Sequence, residues 1–160
     1  MAYSISTPII GYQAIASTST VQNHPLGTIV RAVDPVYGEG EFVYLKGAAS
    51  TAVGDMVIFD QKLATTTRTV AGSRGAAGVA MSANVANQFG WYQISGSAVT
   101  NCGTVAANTA LYSTATPGTV DDAVVTGDKI DGAVAKTANG TPAAGQLVAQ
   151  LARPSMNANG

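Results

Sequence analysis

Few residues in this chain could do chemistry. Its one cysteine, Cys102, and its one histidine, His24, lie far apart in the sequence. A Cys–His dyad needs a third group that orients the histidine, and no motif around either residue suggests one. We therefore expect Cys102 to be a small buried or half-buried residue. We expect His24, which precedes Pro25 in a polar segment, to be exposed at the surface.

Acidic residues gather in two turn-rich regions: Asp34, Glu39 and Glu41 in the first, and Asp121, Asp122, Asp128 and Asp131 in the second. Either group could supply oxygen ligands for calcium, but the spacing matches no calcium loop. Aspartate also begins turns by accepting hydrogen bonds from its own backbone, which favours solvated turn carboxylates. The chain has no phosphate-binding loop, nucleophile elbow or HExxH motif. We therefore expect no enzymatic activity, no cofactor and no metal.

The composition excludes further classes of function. Charged residues make up 11% of the 160 residues, against about 25% in an average domain. The eight basic side chains are scattered singly, so we expect no nucleic-acid partner. No run approaches the ~20 apolar residues of a membrane span, and the N-terminus lacks the pattern of a secretion signal. We expect a soluble protein with no membrane partner.

The chain carries the pattern of an all-β protein. The clearest strands are Glu41–Lys46 and Met56–Phe59, which are apolar runs bounded by glycine and aspartate turns. Residues 28–33 predict the first strand of the body, and the threonine-rich segment 62–70 predicts an edge or surface strand. The last strand is expected over 146–152, with a short helix over 143–153 as its alternative. We predict a small β-barrel or sandwich of short antiparallel strands.

A weak internal repeat favours a hairpin over a helix in the middle of the chain. Residues 79–94 align without a gap on residues 134–149, with five identities in sixteen positions and a period of 55 residues. Pro142 argues against a helix through the second copy. The return strand 91–95 of the hairpin then carries Tyr92 and Ile94 on one face, and Trp91 and Gln93 on the other. The fold would hold two copies of a ~55-residue β unit.

Residues 1–25 predict an extended N-terminal arm. Large side chains lie among Ser, Thr and Pro without helical periodicity: Ile5, Ile9, Ile10, Tyr12 and Ile15. Flexible linkers are depleted in such residues, so we expect the arm to lie on another surface. The alternative is an edge strand of its own domain. The β-rich body would then span 26–154, and residues 155–160 would form a flexible tail.

Three stretches carry a resemblance to a known family: LGTIVRAVDPVYGEGEFVYLKG (26–47), AVGDMVIFD (52–60) and GVAMSAN (78–84). Together with the low charge and the extended arm, they resemble the small decoration, or cement, proteins of tailed-bacteriophage heads over roughly residues 26–96. The resemblance implies a β-rich virion protein, made in the host cytoplasm. Such a protein binds the major capsid protein on the outer surface of the head and stabilises the shell.

This hypothesis gives the arm a role. Ile5, Ile9, Ile10 and Tyr12 are the predicted contacts with the capsid or with a neighbouring copy. A homo-oligomer would suit subunit junctions, and a trimer, favoured here over a dimer, would suit threefold positions. The alternative is another phage structural component, such as a head-fibre, tail or adsorption protein.

Overall fold

Twelve antiparallel strands make up the regular structure of the described part of the chain, which comprises residues 2–9 and 11–157 of a computed structural model. Their bounds are β1 Ser4–Ile5, β2 Thr18–Ser19, β3 Ile29–Asp34, β4 Gly38–Lys46, β5 Met56–Phe59, β6 Thr66–Arg68, β7 Gly75–Ala80, β8 Phe89–Asn101, β9 Ala110–Ser113, β10 Val120–Asp121, β11 Lys129–Ala135 and β12 Gln146–Met156. No helix occurs in these described ranges, which confirms the all-β class. Accordingly, no helix there is long and apolar enough to span a membrane.

The strands form one open sheet in the order β1-β3-β4-β8-β7-β12-β11-β9-β10, with β2 on β8 and with β5 and β6 beside β7. Strand β8 changes partner along its length. Residues 89–95 pair with β4, and residues 95–101 pair with β12. Gly96, at a φ of 93°, lies at the change, in a backbone conformation that residues other than glycine rarely adopt. The two halves of β8 thereby connect the two halves of the fold.

The same set of strand pairings occurs twice. In the first set β4 pairs with β8, β5 with β6 and β7, and β7 with β8. In the second set β8 pairs with β12, β9 with β10 and β11, and β11 with β12. Matching backbone hydrogen bonds of 2.8 and 2.9 Å join Gly54 and Asp55 to Ala80 in one copy, and Asn108 and Thr109 to Ala135 in the other. The chain therefore contains two copies of one β unit, with β8 common to both.

Three apolar cores lie between these strands. The repeat core contains side chains of both copies, among them Met56, Val79, Leu111, Leu147 and Met156. The arm core contains Ile15, Val30, Ala32, Phe42, Tyr44, Met81 and Trp91. The third core contains Val43, Leu45, Val57, Ala64, Ala80, Tyr92 and Ile94. Because successive side chains of a strand point to opposite faces, β4 contributes to the arm core and to the third core. The longer β8 contributes to these two cores and, through Ala98, to the repeat core.

The structure tests the predictions for single elements. The hairpin is confirmed, since β7 and β8 pair antiparallel and the two predicted faces of residues 91–94 enter different cores. The threonine-rich segment forms the short β6, which pairs with β5 and with no other strand of the described residues. Residues 146–156 form a strand, so the alternative helix is wrong.

The C-terminal end differs from the prediction of a flexible tail from residue 155. Ser155 and Met156 pair with both β7 and β11, and Met156 is buried. Met156 is an apolar side chain that completes the repeat core, so burying it favours extension of the strand. Of the rest of the predicted tail, Asn157 follows the strand and is exposed, and residues 158–160 lie outside the described residues.

Candidate interaction surface

The N-terminal arm packs along its own body through two short ladders. Strand β1 pairs with β3, with Ser4 opposite Val33, and β2 pairs with β8, with Thr18 opposite Gly90. The backbone N–H of Ser6 extends the first ladder by donating to the Arg31 carbonyl at 2.8 Å. Strand β1 is thus an edge strand of the sheet, which is the alternative that the sequence left open for the arm.

The predicted contact residues of the arm separate in the structure. Ile5 and Ile9 are half-buried, and each packs against the arm core. Tyr12 points outward, with 56% of its surface exposed. Ile10 lies outside the described residues. Contact of these residues with a capsid or a second copy stays a prediction. Among the three of them that the structure describes, Tyr12 is the one whose side chain is exposed enough to make such a contact.

Gln13 organises the middle of the arm, and sequence analysis missed it. Its side-chain amide donates to the carbonyls of Ser17 at 2.8 Å and Phe89 at 3.0 Å. Its Oε1 accepts hydrogen bonds from the Tyr44 hydroxyl at 2.8 Å and the Asn23 amide at 2.9 Å. These contacts satisfy both the donor and the acceptor of the buried side-chain amide. They fasten residues 13–17 to β4 and β8.

His24 is buried beside Gln13, so the expectation of surface exposure is wrong. Only 5% of its surface is exposed. The Nε2 atom accepts the backbone N–H of Gln13 at 3.0 Å, and the ring centroid lies 5.1 Å from that of Tyr44 and 5.4 Å from that of Trp91. The Trp91 indole N–H in turn donates to the Gln13 carbonyl at 2.8 Å. Aromatic packing and these bonds offset the desolvation of the imidazole.

Tyr3 fastens the first part of the arm. Its ring packs edge-on against Phe42 with centroids 4.8 Å apart, and its hydroxyl donates to the Ser97 carbonyl at 3.0 Å. Burial raises the pKa of Tyr3 to about 12, although a hydrogen bond from Gln93 acts in the opposite direction. The phenol is therefore neutral at physiological pH, as its donated hydrogen bond requires.

Asp34 holds both the arm and the turn that follows β3. Its carboxylate accepts backbone N–H groups of Ala2 at 2.6 Å, Val36 at 2.7 Å and Tyr37 at 2.9 Å. Burial by itself would raise the pKa of Asp34, but these hydrogen bonds outweigh it and the pKa is lower than usual. The side chain begins a turn as predicted, yet it is buried rather than solvated.

The other acidic residues also have structural partners. Asp128, which is buried, accepts the N–H of Gly72 at 2.7 Å, and Asp131 pairs with Lys129 at 3.2 Å. Burial raises the pKa of Asp121, which accepts the N–H of Ala123. Within residues 2–9 and 11–157, no group of three or more acidic, histidine or cysteine side chains is arranged to hold a metal ion.

A group of polar contacts around Asp55 joins the two β units. The buried carboxylate of Asp55 accepts hydrogen bonds from Arg68 at 2.7 Å, from the Asn101 amide at 2.9 Å and from the N–H of Ala52 at 2.9 Å. Arg68 also donates to the Pro117 carbonyl at 2.7 Å. Asp55 therefore connects the loop before β5 with β6 and β8, and Arg68 extends this connection to the turn before β10.

Cys102 lies in the repeat core and is 7% exposed, which confirms the prediction of a small buried residue. Burial raises the pKa of its thiol, so the reactive thiolate is disfavoured. His24 packs against the arm core instead. The two side chains of the dyad considered above are therefore in different cores.

The outer surface carries large apolar side chains on the arm and on turns. Those that are more than half exposed in the described residues are Tyr12, Val21, Val36, Leu63 and Val124. A cleft of about 350 Å³ opens over the third core, on the face of β4 and β8 opposite the arm. Its walls include Ile29, Val43, Leu45, Phe59 and Ile94, together with Arg153.

Comparison of the chain with protein-family models, with curated proteins and with solved structures finds no match.

Proposed function

We propose that this chain is a non-enzymatic structural protein of a phage virion, which binds the major capsid protein on the outside of the head and stabilises the capsid lattice. The observation that carries the proposal is the set of exposed apolar side chains on a chain with only 11% charged residues. The centres of protein interfaces are depleted in charge and enriched in aromatic side chains. Tyr12, Val21, Val36, Leu63 and Val124 suit such contacts.

The use of the buried polar groups supports a structural role. Asp34, Asp55, Asp128 and His24 are all buried, and each is bound to backbone N–H groups or to neighbouring side chains. A catalytic acid, base or nucleophile has to reach a substrate. These four groups are instead committed to holding loops and the arm in place.

Stabilisation of a shell follows from mass action. A protein that binds across a junction of capsid subunits, but not to separated subunits, stabilises the closed junction. A homo-oligomer strengthens this effect, because linking several weak contacts raises the effective concentration of each. In the proposal, a trimer at threefold positions presents three copies of the arm, with Tyr12 and Val21 facing outward from each.

The structure also determines how the arm contact is best tested. Deletion of residues 2–16 would remove the buried Ile15 and Gln13 and would uncover Trp91. Loss of binding by that variant could therefore reflect a damaged fold. Substitution of outward side chains avoids this problem, because exposed positions contribute little to stability.

The experiment measures co-sedimentation of the purified chain with phage heads that lack it. The variant Tyr12→Ser/Val21→Ser is compared with Val134→Ser, whose residue is 41% exposed on β11. Burial of one such side chain is worth about 1.5–3 kcal/mol, so the double variant should bind at least about tenfold more weakly. Failure of the wild-type chain to bind heads would refute the proposed function. Equal binding by the double variant and the control would refute the contact through the arm.

A further inference from the structure

The single histidine fastens the arm by accepting a hydrogen bond. A backbone N–H can only donate, so the 3.0 Å contact between the Gln13 nitrogen and His24 Nε2 requires Nε2 to be unprotonated. The imidazole is thus neutral when the arm is docked. It lies against Tyr44 and Trp91 and is almost fully buried.

We propose that His24 is an acid-sensitive latch, in which protonation of the imidazole releases the Gln13 segment of the arm from the body. A proton from solvent adds to Nε2, and no other covalent bond changes. The Gln13 N–H then loses its acceptor, and two donor groups face each other. A charged ring also has to remain among aromatic side chains unless the segment opens to water.

The surroundings of the ring leave the new charge uncompensated. Tyr44 on β4 is the titratable side chain against the imidazole, and burial raises its pKa, so it is neutral. Trp91 on β8 and the neighbouring Gln13 carry no charge. Among the contacts that the structure gives for His24 within the described ranges, none is to a carboxylate.

Opening is expected to be local. Gln13 also holds the Tyr44 hydroxyl, the Phe89 carbonyl and the Trp91 indole, so its displacement frees residues 11–19 together. The β1–β3 ladder and the bond from Ala2 to Asp34 do not involve His24. Residues 2–7 should therefore remain docked when the latch opens.

Proton linkage gives the direction and the steepness with which opening of the arm depends on pH. The open form binds one proton more than the docked form, so acid favours opening and a rise in pH favours docking. Each pH unit of acidification should therefore raise the ratio of open to docked arm by up to about tenfold.

The test uses reporters that the chain already contains, because Trp91 is its only tryptophan and His24 its only histidine. Tryptophan emission and hydrogen exchange at residues 13–18 are followed in the full chain from about pH 8 to about pH 5, which spans the titration of histidine. Exchange is corrected for the intrinsic effect of pH on unprotected amides. We expect a red shift of emission and a corrected exchange rate that rises up to about tenfold per pH unit.

The matched variant is His24→Gln, whose amide oxygen can accept the Gln13 N–H but does not titrate in this range. It should stay docked throughout. If the wild-type chain also shows constant emission and constant corrected exchange, the latch is refuted. NMR of the single imidazole in the wild-type chain gives an independent decision that does not need the variant to fold. Titration of the ring without a change at the Gln13 amide would overturn the proposal.

Discussion

Replacement of Ile15 by alanine tests whether the arm is part of the folded core. Ile15 is 2% exposed and belongs to the arm core together with Phe42 and Trp91. If the arm only covered the surface of the body, truncation of the Ile15 side chain would hardly lower the free energy of unfolding. If the arm completes the core, the loss in free energy of unfolding should match that caused by a cavity in any other well-packed protein interior.

The magnitude follows from the size of the deletion. Removal of a buried isoleucine side chain down to alanine costs about 2–5 kcal/mol, through lost transfer free energy and the cavity left behind. We expect about 3 kcal/mol for Ile15→Ala. For a chain of this size, that corresponds to a fall of about 6–12 °C in the melting temperature. The matched control is Val21→Ala, in the same arm but 66% exposed, which should cost at most about 0.5 kcal/mol.

The assay is equilibrium unfolding in urea, followed by Trp91 fluorescence and by far-UV circular dichroism. Coincident transitions would indicate that the arm and the body unfold together. An earlier fluorescence transition would indicate that the arm opens first, since Trp91 lies directly beneath it. If Ile15→Ala is no less stable than Val21→Ala, the arm is not part of the folded core.

Three further substitutions test other parts of the fold. Arg68→Met removes the cation from the buried Asp55, which keeps its other hydrogen bonds, and should lower the free energy of unfolding by about 1–3 kcal/mol in urea; an unchanged midpoint would contradict the assigned role. Asp34→Asn should destabilise the chain at pH 7, and the difference from wild type should shrink as pH falls below ~3.9, since the lowered pKa stabilises the fold only while Asp34 is ionised; a difference constant with pH in acid unfolding would refute this. Gly47→Ala would place a Cβ against the backbone oxygen of Asn84 and should cost at least about 2 kcal/mol of thermal stability, whereas wild-type stability would mean that the loop shifts freely.

The local sequence pattern predicted those strands that are runs of β-branched and apolar residues. Strand β5 has the predicted bounds, and β3 lies within one residue of them, because runs of β-branched and apolar residues ended by aspartate carry both the strand signal and the stop signal. The repeat favoured the correct hairpin, because Ala80 and its counterpart Ala135 occupy matching places in the two sets of pairings. The strand bounds depend on neighbouring residues, and the repeat depends only on the similarity of two short stretches of sequence.

The position of His24 could not be predicted in this way. A histidine in a polar segment is buried only if partners distant in the chain are present, and here they are Gln13, Tyr44 and Trp91. The full length of β8 was also missed. Its apolar pattern is interrupted at residues 95–97, yet the strand continues there because β12 replaces β4 as its hydrogen-bonding partner. Both features depend on tertiary contacts that no short window of sequence contains.

The proposed stabilisation of a capsid is tested most directly by the temperature at which phage heads release their genome. Heads that carry the chain, heads that lack it and deficient heads supplied with the purified chain are heated in parallel, and DNA release is followed with a fluorescent dye. The account predicts release at a lower temperature from deficient heads and restoration on addition of the chain. Restoration should depend little on ionic strength, because the side chains proposed to make the contacts, such as Tyr12 and Val21, are uncharged. Release at the same temperature from all three samples would contradict the account.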